Sequence, residues 1–310
     1  MTQPKLQSIP SPEKLHRVIL NTDAKNEADD QFAIVHALLT TSFEIHSIIP
    51  AHFGPGTSPG EDTRQASWDE VNLLLRLMSL KDKVRVDPGA GRALPNEATP
   101  QPSPGAELIV SEAMKDDPRP LNVLFFGPLT DMASAILMEP RIRERNLHII
   151  WVGGAEGLTH YGKEFNLSND VHAANVVMRS PIPVSQIPYP LYGHFCVGHE
   201  ELLAKVFPHG PLGRYLVEQL IEHSRRVNTM ANEYHSLGDS PAVGVLIAPH
   251  SGRWQMRAAP IYDPETCDVS QRLENVRPVR EYETFDARFL LEDFFAKIAR
   301  FADRTSKPID

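Results

Sequence analysis

Between Asn21 and Asp30 the chain places four carboxylates within eight residues: Asp23, Glu27, Asp29 and Asp30. Acids this dense repel one another unless solvent, protons or a cation intervene. One reading is a helix start with surplus acids, which gain a little from the macrodipole. The other is a hard-cation site. No His or Cys lies inside the cluster, which disfavours zinc. Carboxylates and carbonyls on an irregular loop suit Ca2+, which accepts about six to eight oxygen ligands flexibly, whereas Mg2+ demands a tighter octahedron. The loop lacks the Gly and the terminal Glu spacing of an EF-hand.

The elements around the cluster say where such a site would stand. Val18-Ile19-Leu20 reads as a buried strand and Gln31 to Thr41 as the helix after it. The acids therefore sit at the carboxyl edge of a sheet, where open α/β folds bind ligands. Phe43 to Ala51 alternates like a second strand. Val71, Leu74, Leu75 and Met78 are spaced for one apolar face of a helix over Trp68 to Leu80. Val84-Arg85-Val86 reads as a short third strand, and Asp87 to Gly105, rich in Pro and Gly, as an ordered loop. Leu121 to Phe126 and Leu147 to Val152 are the clearest strands.

Helices are expected over Ala106 to Lys115, Leu129 to Leu137, Glu200 to Val206, Leu212 to Arg226 and Ala242 to Ala248. Two strands, Trp254 to Ile261 and Val276 to Tyr282, precede a closing helix from Ala287 to Phe301. This alternation predicts an α/β protein with an open, mostly parallel sheet and helices on both faces. With no repeat or long linker, residues 1–310 read as one domain, about 1–14 being an N-terminal extension.

The acidic loop resembles the calcium loop of the nucleoside hydrolase superfamily, and the similarity continues in order along the chain. Val86-Asp87-Pro88-Gly89-Ala90-Gly91-Arg92-Ala93-Leu94 is similar to the segment after that family's third strand. Phe126-Gly127-Pro128-Leu129-Thr130-Asp131-Met132-Ala133 resembles its G-P-L-T-N-x-A turn, and Trp151-Val152-Gly153-Gly154 the strand leading to its substrate loop. Glu164-Phe165-Asn166 matches its E-F-N triplet, and Gly238-Asp239-Ser240-Pro241-Ala242 resembles its late H-D-P-x-A motif. Each match is short; five in the correct order are specific. The loop N-E-A-D-D and the run Ser103 to Leu121 look closer to a divergent, nucleoside-hydrolase-like branch.

The resemblance implies Ca2+ held by Asp23, Asp30, Asp239 and the backbone carbonyl of Phe126. It implies Asp29 as general base and Glu164 and Asn166 on sugar hydroxyls that complete the calcium shell, with Asp239 at the meeting of metal and substrate. The implied reaction is calcium-dependent hydrolysis of the N-glycosidic bond of a ribonucleoside by direct, inverting attack of a metal-bound water. Such chemistry passes through an oxocarbenium-like sugar and serves purine or pyrimidine salvage.

Departures from the pattern are specific. The loop has two more residues between Asp23 and Asp29 than the usual spacing, so Glu27 stands as a substitute ligand, and Asn21 replaces the family's first Asp. Gly238 stands where many members carry a His that assists the departing base, and Leu158 where an Asn commonly contacts the sugar. His52, at the end of the second strand, and His235, four residues before Asp239, are the substrate-side replacements put forward. His194, in an aromatic stretch from Tyr189 to Tyr192, and His160 with Tyr161 are further candidates. Each imidazole also has a purely structural reading. The Trp68 and Trp151 rings are expected in the core rather than against a base.

Composition bounds the partners. A formal charge of −9 argues against a nucleic-acid groove. No apolar run approaches the roughly 18 residues of a membrane span. Met1 to Glu13 lacks the apolar stretch of a secretory signal. Cys196 and Cys267 read as two ordinary thiols in a reducing cytoplasm. A small-molecule nucleoside or riboside is the expected partner, in a homodimer or tetramer. The competing readings are hydrolysis of another riboside or sugar conjugate, and a catalytically weak ribose- or calcium-binding protein, against which the retained Asp29 argues. A phosphatase with Asp23 as nucleophile would need a D-x-D pair, and Asn21 stands first.

Overall fold

The computed structural model describes residues 10–54, 62–156, 162–227 and 231–305. Its first half is a run of β–α units: β1 His16–Thr22, α1 Asp30–Leu39, β2 Phe43–Pro50, α2 Thr63–Leu77, α3 Pro104–Ala113, β3 Leu121–Phe125, α4 Thr130–Met138 and β4 Leu147–Val152. Next come α5 Phe165–Asn169, α6 Val171–Met178, β5 Val184–Ile187, α7 Tyr189–Tyr192, β6 Cys196–Gly198, α8 His199–Lys205 and α9 Gly210–Val227. The chain continues through β7 Tyr234–Ser236, α10 Ser240–Ile247, β8 Gly252–Arg257, β9 Ala259–Tyr262, β10 Val269–Leu273, β11 Val279–Phe285 and α11 Ala287–Thr305.

Seven strands form the main sheet in the order β2-β1-β3-β4-β5-β11-β8. Every pairing is parallel except β11 with β8 at one edge. The β1, β3 and β4 interiors are continuous buried apolar runs, as parallel strands covered on both faces require. One core cluster joins α1, α2, α9, α10 and α11, and the other joins α3, α4 and α6. Helices thus cover both faces, as expected.

The order of strands explains where a site can form. From β1 the chain steps to β2 on one side, and β3 then pairs on the other side of β1. Loops leaving the carboxyl ends of β1 and β3 part in opposite directions and open a crevice between them. The acidic loop leaves one strand and Phe126 ends the other.

Three expectations are corrected by the backbone. Val84–Val86 makes a single parallel bridge, Ile48 to Val86, rather than a strand; beyond it the N–H groups of Asp87 and Gly89 reach β2, at Ile48 O and Pro50 O. Trp254 to Ile261 is two strands: β8 extends the main sheet and β9 pairs antiparallel with β10 in a separate ribbon. The last main-sheet strand begins at Val279 rather than Val276. Strands β5 and β10 carried too short an apolar signal to be anticipated.

Candidate active site

The loop after β1, lengthened as the sequence indicates, is tied down at several points. Lys25 Nζ pairs with Glu70 Oε2 at 2.9 Å, and Gln31 Nε2 donates to Ala24 O at 2.7 Å and to Glu70 Oε1 at 3.1 Å. Gln219 Nε2 donates to Ala28 O at 2.9 Å, so α9 clamps the far side. Ala24 and Ala28 are fully buried. The loop therefore bulges through anchored points and still delivers Asp29 and Asp30 to the start of α1.

There, Asp29, Asp30 and Asp239 bring carboxylate oxygens within 4.8 Å of one another. Asp239 stands at the start of α10 and reaches the cluster from a distant part of the chain. Asp23 lies beside them: its charge acts on Asp30 and Asp239, and its carboxyl packs against Gly127, where a Cβ would stand 2.8 Å from Asp23 Cγ. That approach seats Asp23 against the peptide between Phe126 and Gly127. All four acids are buried. Asp23 Oδ2 has no hydrogen-bond partner among the described residues. A buried, unpartnered carboxylate oxygen among three more acids is what a cation cradle provides.

Burial drives the carboxyls of Asp23, Asp30 and Asp239 well above the usual range, and mutual repulsion adds to it. Asp29 is raised less, to about 6: burial pushes it up, while the amides of Asp239, Gly238 and Asp30 hold it down. Its side chain does not cap its own helix but turns toward the amides that begin α10. Glu27 is solvent-accessible yet crowded by protein; desolvation first, then the charges of Asp29 and Glu164, push it up to about 8. It feels the charges of that same cluster, and among the described residues no close ligand grouping includes it.

Asn21 does not join the acids. Its Nδ2 donates to Asp131 Oδ2 at 2.9 Å, while Asp131 Oδ1 accepts from Ala90 N at 2.9 Å and Ser103 Oγ at 2.6 Å. Asn21 and Asp131, which stand where the resembled pattern has Asp and Asn, are thus joined by a single hydrogen bond. The Pro- and Gly-rich loop of residues 87–105 folds around that aspartate.

Glu164 is buried and saturated. Its Oε2 accepts from Gly154 N at 2.6 Å and Leu167 N at 2.8 Å; its Oε1 accepts from Asn166 N at 3.1 Å and Tyr192 Oη at 2.6 Å. It thereby caps α5. Gly154 makes this approach at φ +83°, with a Cβ position only 2.3 Å from Gln186 Nε2, so a glycine is required. Asn166 spends its amide hydrogens on Phe126 O at 2.7 Å and Val152 O at 2.9 Å, which links Asn166 to the carbonyl named as a cation ligand. The Phe126 carbonyl keeps a second lone pair.

The imidazoles stand elsewhere. His52 is buried with Nε2 2.9 Å from Thr130 Oγ1, and Thr130 donates onward to Asp170 at 2.7 Å. Burial lowers its pKa to about 4, so it is neutral. His235 Nδ1 lies 2.9 Å from Ser224 Oγ, and its ring packs edge-on to His223; burial again lowers it to about 4. Both make their contacts with structural neighbours rather than with the acids. His194 is exposed and bonded to Pro190 O. Leu158, His160 and Tyr161 lie outside the described residues. Trp151 is fully buried, as expected, with Nε1 on Gly127 O.

Two contributors escaped the sequence. Glu70 shares a helical face with Ser67, Val71 and Leu74, and an acid on an apolar face was the available signal. Tyr192 carried no signal of its own within its aromatic run.

The same architecture occurs in solved nucleoside hydrolases. A purine-preferring ribonucleoside hydrolase from Gardnerella vaginalis superposes with a TM-score of 0.76 at 19% identity, over 93% of this chain and 99% of that one. A plant nucleoside hydrolase gives 0.74 at 15% identity, over 92% and 99%. Those identities speak for the fold. The family model described as inosine-uridine preferring nucleoside hydrolase matches residues 18–284, and the chain belongs to that family. Among relatives, the pyrimidine-specific ribonucleoside hydrolase RihA of Salmonella arizonae is 28% identical over 185 residues, 54% of this chain and 58% of that protein. The RihA of Escherichia coli O9:H4 is 28% identical over 175 residues, 50% of this chain and 55% of its own length. The chain thus spans little more than half the length of these relatives.

Proposed function

We propose that the chain is a calcium-dependent N-ribohydrolase that releases base and ribose from a ribonucleoside. The observation that carries this reading is the buried convergence of Asp29, Asp30 and Asp239 beside the unpartnered Asp23 oxygen, at the crevice between β1 and β3. The donor set is oxygen only, four acids with the Phe126 carbonyl adjacent, which fits Ca2+ better than a softer ion.

Asp23, Asp30, Asp239 and the Phe126 carbonyl would hold the cation, which when bound orients the sugar diol and makes a water more acidic. Asp29 takes the proton of the attacking water. Its carboxyl, raised to about 6, is ionised at neutral pH and still basic enough to accept. The amides of Gly238 and Asp239 fix its direction. Water adds at the anomeric carbon on the face opposite the base, and the C–N bonding pair leaves with the base. Asn166, its amide hydrogens given to Phe126 O and Val152 O, offers its Oδ1 to a sugar hydroxyl, and Glu164 orders the wall beside it.

Gly238 favours a second reading, a riboside or sugar conjugate with a different leaving group, because no side chain at that position can deliver a proton. One experiment separates the two. Purified protein is incubated with a panel of purine and pyrimidine nucleosides and other ribosides, and released reducing sugar is measured. Release from an ordinary nucleoside supports the first reading, release only from another riboside the second. No release from any of them would reject both.

A further inference from the structure

Beside Gly238 and Asp29 stands a residue that the family pattern does not mark, Tyr192. A Cβ on Gly238 would stand 2.9 Å from Tyr192 Cδ2, 3.3 Å from Tyr192 O and 3.3 Å from Asp29 Oδ2. The Tyr192 ring therefore takes the space that a side chain at 238 would need. Its hydroxyl donates to Glu164 Oε1 at 2.6 Å, its carbonyl accepts from Ser236 Oγ at 2.6 Å, and Tyr189 packs edge-on at 5.3 Å between ring centres. The ring is held on three sides, and its hydroxyl lies within the fields of Glu164, Glu27 and Asp239. With the proton given to Glu164, the oxygen lone pairs remain to accept a hydroxyl.

We propose that Tyr192 is the positioning residue of the sugar side of this pocket, replacing a side chain at position 238 by its ring and holding the Glu164 carboxylate by its hydroxyl. Gly238 and Tyr192 form one unit: the glycine admits the ring, and the ring delivers the hydroxyl to Glu164. The ligand class is a ribosyl group, so the proposal rests on the riboside reading above.

The test uses the full chain with calcium and reads two quantities: ribose affinity by calorimetry, and KM and kcat on whichever riboside is turned over. Tyr192→Phe is expected to weaken ribose and raise KM about tenfold, the size of one hydrogen bond to a charged group, with kcat changed less than about threefold. Gly238→Ala, which pushes the ring aside and also crowds Asp29 Oδ2, is expected to weaken ribose and raise KM in the same way while lowering kcat as well, and the double variant to bind ribose no worse than the poorer single one. Circular dichroism checks folding. Unchanged ribose affinity and KM in folded Tyr192→Phe would overturn the proposal, as would a wild type that binds no ribose. Weakened ribose binding in Tyr192→Phe with no turnover by the wild type would support the proposal and reject the hydrolase reading.

Discussion

The two aspartates 29 and 30 are neighbours with different environments, and the roles proposed for them follow that difference. Asp30 accepts from Thr22 Oγ1 and faces Asp239, a ligand's surroundings. Asp29 instead meets amides at the start of α10 and keeps the lower pKa of the two directions seen, about 6. Asp29→Asn is expected to lower kcat by about 10²–10⁴-fold while ribose affinity stays close to wild type; a parallel fall in both would make Asp29 a ligand rather than a base. The pairing of Asn21 with Asp131 makes its own forecast. Asn21→Asp sets two carboxylates face to face inside the protein and should cost at least about 2 kcal/mol in urea unfolding. Adding Asp131→Asn should recover most of that loss. Recovery of none would mean that the two positions are not a pair.

At the scale of elements, the site depends on how a lengthened loop is held. Glu70 is buried and takes Lys25, Gln31 and the Tyr215 hydroxyl at once. Glu70→Ala leaves these donors unmatched, so a loss of about 3 kcal/mol is expected in denaturant unfolding, together with weaker calcium binding; wild-type values for both would dissociate the clamp from the site. The same scale shows what could be read in advance. Strands β1, β3 and β4 and the amphipathic helices α9 and α11 were legible because their apolar patterns are long and regular. The four-residue β5 and the half-exposed β10 were not, because their strand character comes from pairing partners. The acids and Asn166 were legible from motif order. The Glu164–Tyr192 bond and the Asn21–Asp131 pair were not, since they join residues 28 and 110 positions apart. His52 follows β2 and His235 lies in β7, and their partners Thr130 and Ser224 stand 78 and 11 positions away, which no local pattern announces.

At the scale of the whole molecule, the acid cluster is a cost that the proposed cation would remove. Burial raises Asp29 to about 6 and Glu27 to about 8, and Asp23, Asp30 and Asp239 are raised as well. A carboxyl whose folded pKa exceeds its unfolded value, about 4, binds its proton more tightly when folded. Metal-free protein should therefore lose stability as pH rises from about 4 through about 8. Thermal midpoints in chelator across that range check it, and a midpoint that rises would contradict it. Calcium at a hundredfold over its Kd should restore about 2.7 kcal/mol at neutral pH. Among the described residues no helix is long and apolar enough to cross a membrane.

The most direct measurement is calcium add-back to chelator-stripped protein, followed by ribose release from the preferred nucleoside, with the Asp239→Asn variant alongside. The account predicts turnover that vanishes on stripping, returns with calcium along the same saturation curve as calorimetric binding, and stays absent in the variant. Full turnover in the stripped protein, or an Asp239→Asn variant that binds calcium and turns over like the wild type, would contradict it.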